Sequence, residues 1–324
     1  MIGIKITVIS TILNEADSIE LFVESLFRQT LIPDEIVIVD GGSTDSTYEK
    51  LQLLSKKHSS LKIFQKKGFN ISAGRNFAIK QATNSIVASV DGGATLQNDW
   101  LYNLTLPFFT DSTIDVVSGF FIPQVKNTFE KYLAAVTVPI EEELQDEKFL
   151  PSSRSIAFKK NCWSEVGGYP EWLPICEDVV FDIKMKNKGF KFVVAVNALS
   201  SWRPRTTLKK YWIQYFKYAR GDGHAKLFFR RHFIRYITYL CALTFLWACS
   251  YNILWLVPLL LGGVVYTLKY YNRYFRHFPN EGILKNIGAY FYIPFLLLVG
   301  DSAKMVGFPY GIYQRLSGKI VFHK

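Results

Sequence analysis

Over the first hundred residues, short runs of β-branched and aliphatic side chains alternate with stretches of helical period. Residues 4–10, 35–39, 61–65 and 86–90 predict strands, and 16–28, 46–57 and 72–81 predict helices between them. In the first helix Ile19, Phe22, Val23, Leu26 and Phe27 recur at the 3.6-residue period of a one-sided apolar face. Regular strand–helix–strand repetition implies a mainly parallel α/β sheet covered on both faces. The two apolar faces of each strand leave the chemistry to the ends of the sheet.

The rhythm then changes. A helix over 99–109 leads to a strand at 115–121, and an acidic stretch follows at 141–147. Beyond it the pattern predicts a strand over 154–158, a short helix ending at Gly167-Gly168, a helix over 177–188 closed by Gly189, and a strand over 190–196. This half is expected to add an acceptor pocket to a nucleotide-binding half. The expected divisions are a catalytic domain over 1–202, a basic amphipathic segment over 203–235 and a membrane region over 236–324.

Residues 237–268 are apolar almost throughout, which is well beyond the ~20 residues that cross a bilayer core. They concentrate much of the mean hydropathy of +0.10. A hairpin turning near Tyr251-Asn252 gives two arms of nearly sufficient length, and basic residues flank both ends, so an even number of crossings is expected. The later run 287–299 is shorter, is followed by Asp301 and Lys304, and reads as an interfacial or re-entrant helix, with a span as the alternative if it continues to Tyr313. Between Arg203 and Arg235 stand ten Lys or Arg against the single acid Asp222, and this block carries most of the meaning of the net charge of +11. Lying beside an apolar segment and without a nucleic-acid motif, it points to anionic lipid and not to nucleic acid. An integral membrane protein with a cytoplasmic catalytic domain is therefore expected. The four cysteines show neither metal-ligand spacing nor a disulfide framework, in keeping with a reducing compartment. Because residues 4–9 already read as a strand, no leader is expected ahead of the fold. The Asn-x-Ser/Thr matches at Asn70 and Asn103 then count as chance.

Candidate chemistry clusters at predicted strand ends. Asp91 closes a strand and is followed by Gly92-Gly93, which delivers a carboxylate to the rim where open α/β sheets bind ligands. It suits a divalent ion clamping phosphates. Asp40 ends a buried strand in the same way, and the cost of desolvating it suggests a nucleoside contact. Asn14-Glu15 after the first strand serves either a nucleoside or a helix cap, and Ser43 and Thr44 read as caps for the next helix. Arg75 near a helix start opposes the macrodipole, so an anion such as diphosphate is its expected partner, with a surface salt bridge as the alternative. Glu177-Asp178 open a helix with side chains ~100° apart, leaving one to act as base. By themselves they could equally decorate a helix N-terminus. Gln214 and Arg220 lie in an aromatic, basic stretch that could close over a site or lie at a membrane surface.

Taken in order, Val8 to Glu15, Val39-Asp40-Gly41-Gly42-Ser43-Thr44-Asp45, Ala73-Gly74-Arg75-Asn76, Val90-Asp91-Gly92-Gly93, Gly167-Gly168-Tyr169 and Glu177-Asp178-Val179-Val180-Phe181 resemble a family 2 glycosyltransferase of the inverting, membrane-anchored type. The resemblance covers roughly residues 4–235. It implies a GT-A fold, α/β and Rossmann-like with a mainly parallel sheet, followed by a transmembrane helical region. It implies an enzyme moving a sugar from a nucleotide-sugar donor to a lipid-linked or glycan acceptor, in polysaccharide or glycolipid assembly. By resemblance the donor site comprises Thr11, Asn14, Glu15, Asp40, Arg75, Asn76 and Asp91, with Asp178 and Glu177 catalytic and Asp91 holding Mg2+ or Mn2+. Acceptor or phosphate contacts fall to Gly168, Arg203, Arg205, Gln214 and Arg220. Three departures stand out. The usual Asp-x-Asp is Asp91-Gly92-Gly93, the usual double aspartate is Asp40-Gly41, and the Gln-x-x-Arg-Trp signature of processive synthases is absent. Single addition is therefore expected rather than polymer extrusion. A nucleotidyltransferase and a catalytically silent membrane scaffold are the alternatives.

Overall fold

The computed structural model describes residues 4–144 and 149–318. Asp146 and Glu147 of the acidic stretch lie outside the described residues. The chain forms two compact units, one of residues 1–122 and 143–202, the other of 123–142 and 203–324. Residues 123–142 thus pack with the C-terminal part, although the sequence pattern runs them on from the first domain.

The first unit is built on one eight-stranded sheet. Its strands are β1 (Ile6–Ile12), β2 (Glu35–Asp40), β3 (Leu61–Gln65), β4 (Ile86–Val90), β5 (Thr95–Leu96), β6 (Val116–Pro123), β7 (Ser155–Lys159) and β8 (Phe192–Trp202). The spatial order is β3-β2-β1-β4-β7-β6-β8-β5. β1, β2, β3 and β4 pair in parallel, whereas β7 runs antiparallel to both β4 and β6. The helices are α1 (Ile19–Phe27), α2 (Thr47–Lys57), α3 (Ile71–Gln81), α4 (Trp100–Thr110), α5 (Thr128–Thr137), α6 (Lys160–Glu165), α7 (Glu177–Asn187), α8 (Leu208–Ala225), α9 (Phe229–Ala248), α10 (Leu256–His277) and α11 (Ile283–Leu316). Of these α1–α4, α6 and α7 belong to the first unit.

Strand alternation sorts the core into two layers. Val8, Ile36, Ile38 and Ala88 pack on one face with α1 residues Phe22, Val23 and Leu26 and with Trp100 of α4. Ile9, Val37, Val39 and Val87 pack on the other with Ala78 and Ile79 of α3 and Phe181 and Met185 of α7. β1, β2 and β4 are buried on both faces, which explains why their sequences read as near-continuous apolar runs. Because the strands leave these layers in one direction, the carboxyl ends of β1, β2 and β4 come together with the starts of α3 and α7.

The second unit is helical. A capping arrangement begins α5: Asn127 accepts the Glu130 N–H at 2.9 Å, and Glu130 accepts the Lys126 N–H at 2.7 Å. α8 and α11 approach closely because Gly223, Gly307 and Gly311 have no Cβ; one built on Gly307 would lie 2.4 Å from the Phe216 carbonyl oxygen. α9 and α10 are joined through residues 249–255, so the long apolar segment reverses where Tyr251-Asn252 stand. Among the described residues, the two helices long and apolar enough to cross a membrane are Ile253–His277 and Ile283–Leu316. This differs from a pair of crossings confined to 237–268. The run 287–299 is not a short surface helix but part of the 34-residue α11. The reason lies with its charges. Asp301 is 1% exposed and accepts from Arg235 Nε at 2.9 Å, Lys304 Nζ at 3.0 Å and the Tyr239 hydroxyl at 3.1 Å, with Tyr266 donating as well. A carboxylate that is buried and fully partnered does not interrupt the apolar helix that carries it.

Candidate active site

A cleft of about 280 Å³ opens at the carboxyl edge of the sheet, lined by Thr11, Glu15, Gly41, Asn70, Gly74 and Asp91 among others. Its walls approach closely because three of its residues lack a Cβ. One built on Gly74 would meet Thr11 Cγ2 at 2.5 Å, and one on Gly92 would meet Ile12 Cγ2 at 2.3 Å. The glycines after Asp91 and before Arg75 thus seat β1 against its neighbours.

Arg75 organises the site. Asn70 caps α3 by accepting the Ala73 N–H at 2.9 Å and donates to the Glu171 carbonyl oxygen at 2.6 Å, which fixes the helix start. From the next turn Arg75, 3% exposed, donates through Nη2 to Asp91 Oδ1 at 2.7 Å and through Nη1 to Glu177 Oε1 at 2.8 Å. The Tyr169 ring lies 5.4 Å from the guanidinium carbon. Burial opposes the charge of Arg75, but Asp91, Tyr169 and Glu177 override it and hold the group firmly protonated. One guanidinium therefore ties the end of β4 to the start of α7. The sequence assigned Arg75 an anionic partner, and the partners within the chain are two carboxylates.

Glu177 and Asp178 occupy the first turn of α7, entered through Cys176 in the left-handed region at φ 65°. A non-glycine residue held there is a strained feature at a site. Glu177 is buried, and its carboxyl is pushed up by that burial and by Asp178, against the pull of Arg75. Asp178 is half-buried and accepts the Val179 N–H at 2.9 Å. Among the described residues no cation pairs with it. One turn further on, Asp182 is fully buried, neither carboxylate oxygen has a partner among the described residues, and desolvation together with Asp178 drives its pKa well up.

Other expected site residues are held within the protein itself. Asp40 is completely buried, but it needs no ligand to offset desolvation: Ser43 N–H donates at 3.1 Å and Gln65 Nε2 at 2.9 Å. Ser43 and Thr44 do not cap α2, for Ser43 Oγ also accepts the Asn14 N–H at 2.8 Å and Thr44 N–H donates to Asn14 Oδ1 at 2.8 Å. Asn14, at φ 56°, is likewise a link between loops and not a helix cap. Asn76 spends its whole amide on internal bonds. Nδ2 reaches the Tyr169 carbonyl and Glu171 Oε1, both at 2.9 Å, while Oδ1 accepts from Trp163 Nε1 and the Tyr169 N–H at the same distance. Gly168 is needed beside it, since a Cβ at its φ of 72° would lie 2.7 Å from Asn76 Oδ1. Four remaining candidates belong to the second unit: Arg203 pairs with Glu130 at 2.7 Å, Arg205 donates to Gln214 at 3.2 Å, and Arg220 has a buried Nε with no partner among the described residues.

Pattern reading passed over Arg154 and Tyr169 as site residues. Arg154 Nε lies 3.7 Å from Asp91 Oδ2. Its signal was an arginine opening a predicted strand; only the antiparallel register, with Val90 opposite Ser155, sets it across from Asp91. Tyr169 stacks on Phe181 at 4.0 Å and shares a 2.8 Å hydrogen bond with Ser153.

This fold is shared with a mannosyltransferase from Pyrobaculum calidifontis solved in complex with GDP-Man and Mn2+. The two superpose with a TM-score of 0.56 over 97% of this chain and 88% of that one, at 16% identity. The fold is GT-A. Residues 7–162 match the family described as Glycosyl transferase family 2, so the chain carries a family 2 glycosyltransferase domain. An O-antigen chain rhamnosyltransferase of Salmonella typhimurium is 25% identical over 248 residues, which span 68% of this chain and 78% of that protein. A cholesterol galactosyltransferase of Borreliella burgdorferi is 30% identical over 118 residues, only 36% of this chain and 33% of that protein.

Proposed function

We propose that the chain transfers a single sugar, with inversion, from a nucleotide-sugar donor to a lipid-linked or glycan acceptor at the cytoplasmic face of a membrane. The observation that carries this reading is the Arg75 bridge, which draws Asp91 of the donor edge and Glu177, neighbour of Asp178, to one guanidinium. Asp178 is the base: it has no cationic partner among the described residues, so its carboxylate is uncommitted at the moment of reaction. The acceptor oxygen forms a bond to the anomeric carbon, the bond from that carbon to the diphosphate breaks, and the hydroxyl proton passes to Asp178. Glu177 orients the pair through Arg75.

Asp91 would hold Mg2+ or Mn2+, and the donor set fits such an ion, which commonly takes one or two carboxylates and completes its shell with phosphate oxygens. When bound, the ion offsets charge on the departing diphosphate. Among the described residues no group of three or more acidic, His or Cys side chains surrounds a single point. The membrane setting is supported by the two candidate spans and the basic segment ahead of them. Relatives named for O-antigen and cholesterol substrates support polysaccharide or glycolipid assembly.

The test is a panel of nucleotide sugars offered to the full chain in detergent with lipid acceptors, with and without Mn2+ or Mg2+. Donor turnover that disappears in Asp178→Asn while nucleotide still binds is the expected result. Equal turnover in that variant would remove Asp178 from the reaction. Binding of nucleotide with no transfer to any acceptor would favour the silent scaffold.

A further inference from the structure

The third position of the metal motif is a glycine, Gly93, and the space its side chain would enter is not empty. Gly93 has φ 76°, and a Cβ built on it would lie 3.0 Å from Glu15 Oε2 and 3.6 Å from Glu15 Cδ. A carboxylate from the end of β1 therefore stands next to the place where a second carboxylate from the β4 turn would begin. Glu15 and Asp91 line the same cleft.

Glu15 is also built to stay there. Its N–H donates to Thr47 Oγ1 at 2.8 Å, its carbonyl oxygen accepts from the N–H groups of Ser18 and Ile19, and Oε2 accepts from Ser18 Oγ at 2.6 Å. Among the described residues Oε1 has no hydrogen-bond partner. Thr11 Oγ1, buried and likewise without a partner among the described residues, belongs to the same cleft wall. These are hard oxygen donors of the kind Mg2+ and Mn2+ select.

Charge makes a second carboxylate necessary. Asp91 gives Oδ1 to Arg75 at 2.7 Å, and Arg154 stands 3.7 Å from Oδ2. Asp91 shares Arg75 with Glu177 and has Arg154 near its other oxygen, so its charge is partly offset and it attracts a divalent cation less than a free carboxylate would. Another anion on the far wall changes that balance. We propose that Glu15 supplies the carboxylate missing from Asp91-Gly92-Gly93, so that the cation of the donor site is held between β1 and β4 rather than within one turn. This rests on the proposed cation dependence, and assigns it a residue.

The test uses the full chain in detergent and reads Mn2+ directly, by loss of the free-ion electron paramagnetic resonance signal in the presence of UDP or GDP. Nucleotide affinity is measured separately by calorimetry in EDTA. Glu15→Gln should weaken Mn2+ uptake at least about tenfold, the scale seen when groups around a metal are removed, a larger loss than any in metal-free nucleotide affinity. Adding Gly93→Asp to that variant should restore uptake, because it moves the carboxylate from one side of the 3.0 Å contact to the other. Equal Mn2+ uptake by wild type and Glu15→Gln overturns the assignment of Glu15 alone. So does a double variant no better than Glu15→Gln. A matching loss of metal-free nucleotide affinity would make Glu15 a nucleotide contact instead, which also overturns it. Wild-type protein that takes up no Mn2+ with either nucleotide overturns both this inference and the proposed cation dependence.

Discussion

Each compact unit seals a charged cluster away from water, and the two clusters are handled in opposite ways. In the first, Arg75 is 3% exposed and holds two carboxylates, while Asp91, which lines the cleft, and Asp178 remain only half-buried. In the second, Asp301 is 1% exposed and is surrounded by Arg235, Lys304, Tyr239 and Tyr266. Both satisfy the rule that a buried charge must be paired. The difference is in what the partners have left to offer. Of Arg75's partners Asp91 lines an open cleft, and Asp178 beside Glu177 has no cationic partner among the described residues, so that cluster can do chemistry. Asp301's partners converge on it from three helices, so that cluster fixes a helix arrangement.

The sharpest way to break this contrast is Asp178→Asn, for which a loss of about 10²–10⁴-fold in turnover is expected from removing a general base, measured as donor consumption with acceptor present. Next come the two buried charges themselves. Arg75→Met and Asp301→Leu should each cost about 3–5 kcal/mol of stability, because each strands partners of the opposite sign. Thermal unfolding in detergent measures this, and turnover per folded molecule separates the two: Arg75→Met should abolish it, while Asp301→Leu should leave it within about threefold. A large turnover defect in Asp301→Leu would end the distinction between chemistry and architecture. Gly92→Ala probes the seat of β4 on β1. Its Cβ would lie 2.3 Å from Ile12 Cγ2, and overpacking of this kind costs about 1–3 kcal/mol.

The smallest effect concerns Asp182. Burial and Asp178 raise its folded pKa well above 3.8, so the folded state holds the proton more tightly than the unfolded chain. Its contribution to stability is full below the unfolded value and is lost as pH rises from there toward the folded value. Asp182→Asn removes that titration. Unfolding temperatures taken between about pH 4 and about pH 7 should fall less steeply in the variant than in the wild type. Parallel slopes would show that Asp182 does not carry the pH dependence.

Much of the first unit was legible because its signals are local. β2, β3 and β4 lie within a residue of the runs that predicted them, and α3 begins at Ile71 after the capping Asn70. Elements that depend on distant partners were not. β5 has only two residues and exists through its antiparallel pairing with β8, which itself runs on to Trp202. α5 went unassigned, and the end of α11 was hidden by the charges of Asp301 and Lys304, whose pairing with Arg235 no sequence window displays. The same limit applied to Arg154, which meets Asp91 through sheet register alone.

The sequence by itself determined the alternating α/β pattern, the carboxylates at strand and helix ends, and a strongly apolar C-terminal region, because residue type and period act over a turn or a strand. Tertiary structure decided what each charge is for. Whether Asp40 is satisfied by Gln65, whether Arg75 meets phosphate or carboxylates, and whether Glu15 stands beside Gly93 are contacts between segments far apart in the chain. Electrostatic and hydrogen-bond energies depend on those separations in space, and distance along the sequence does not encode them.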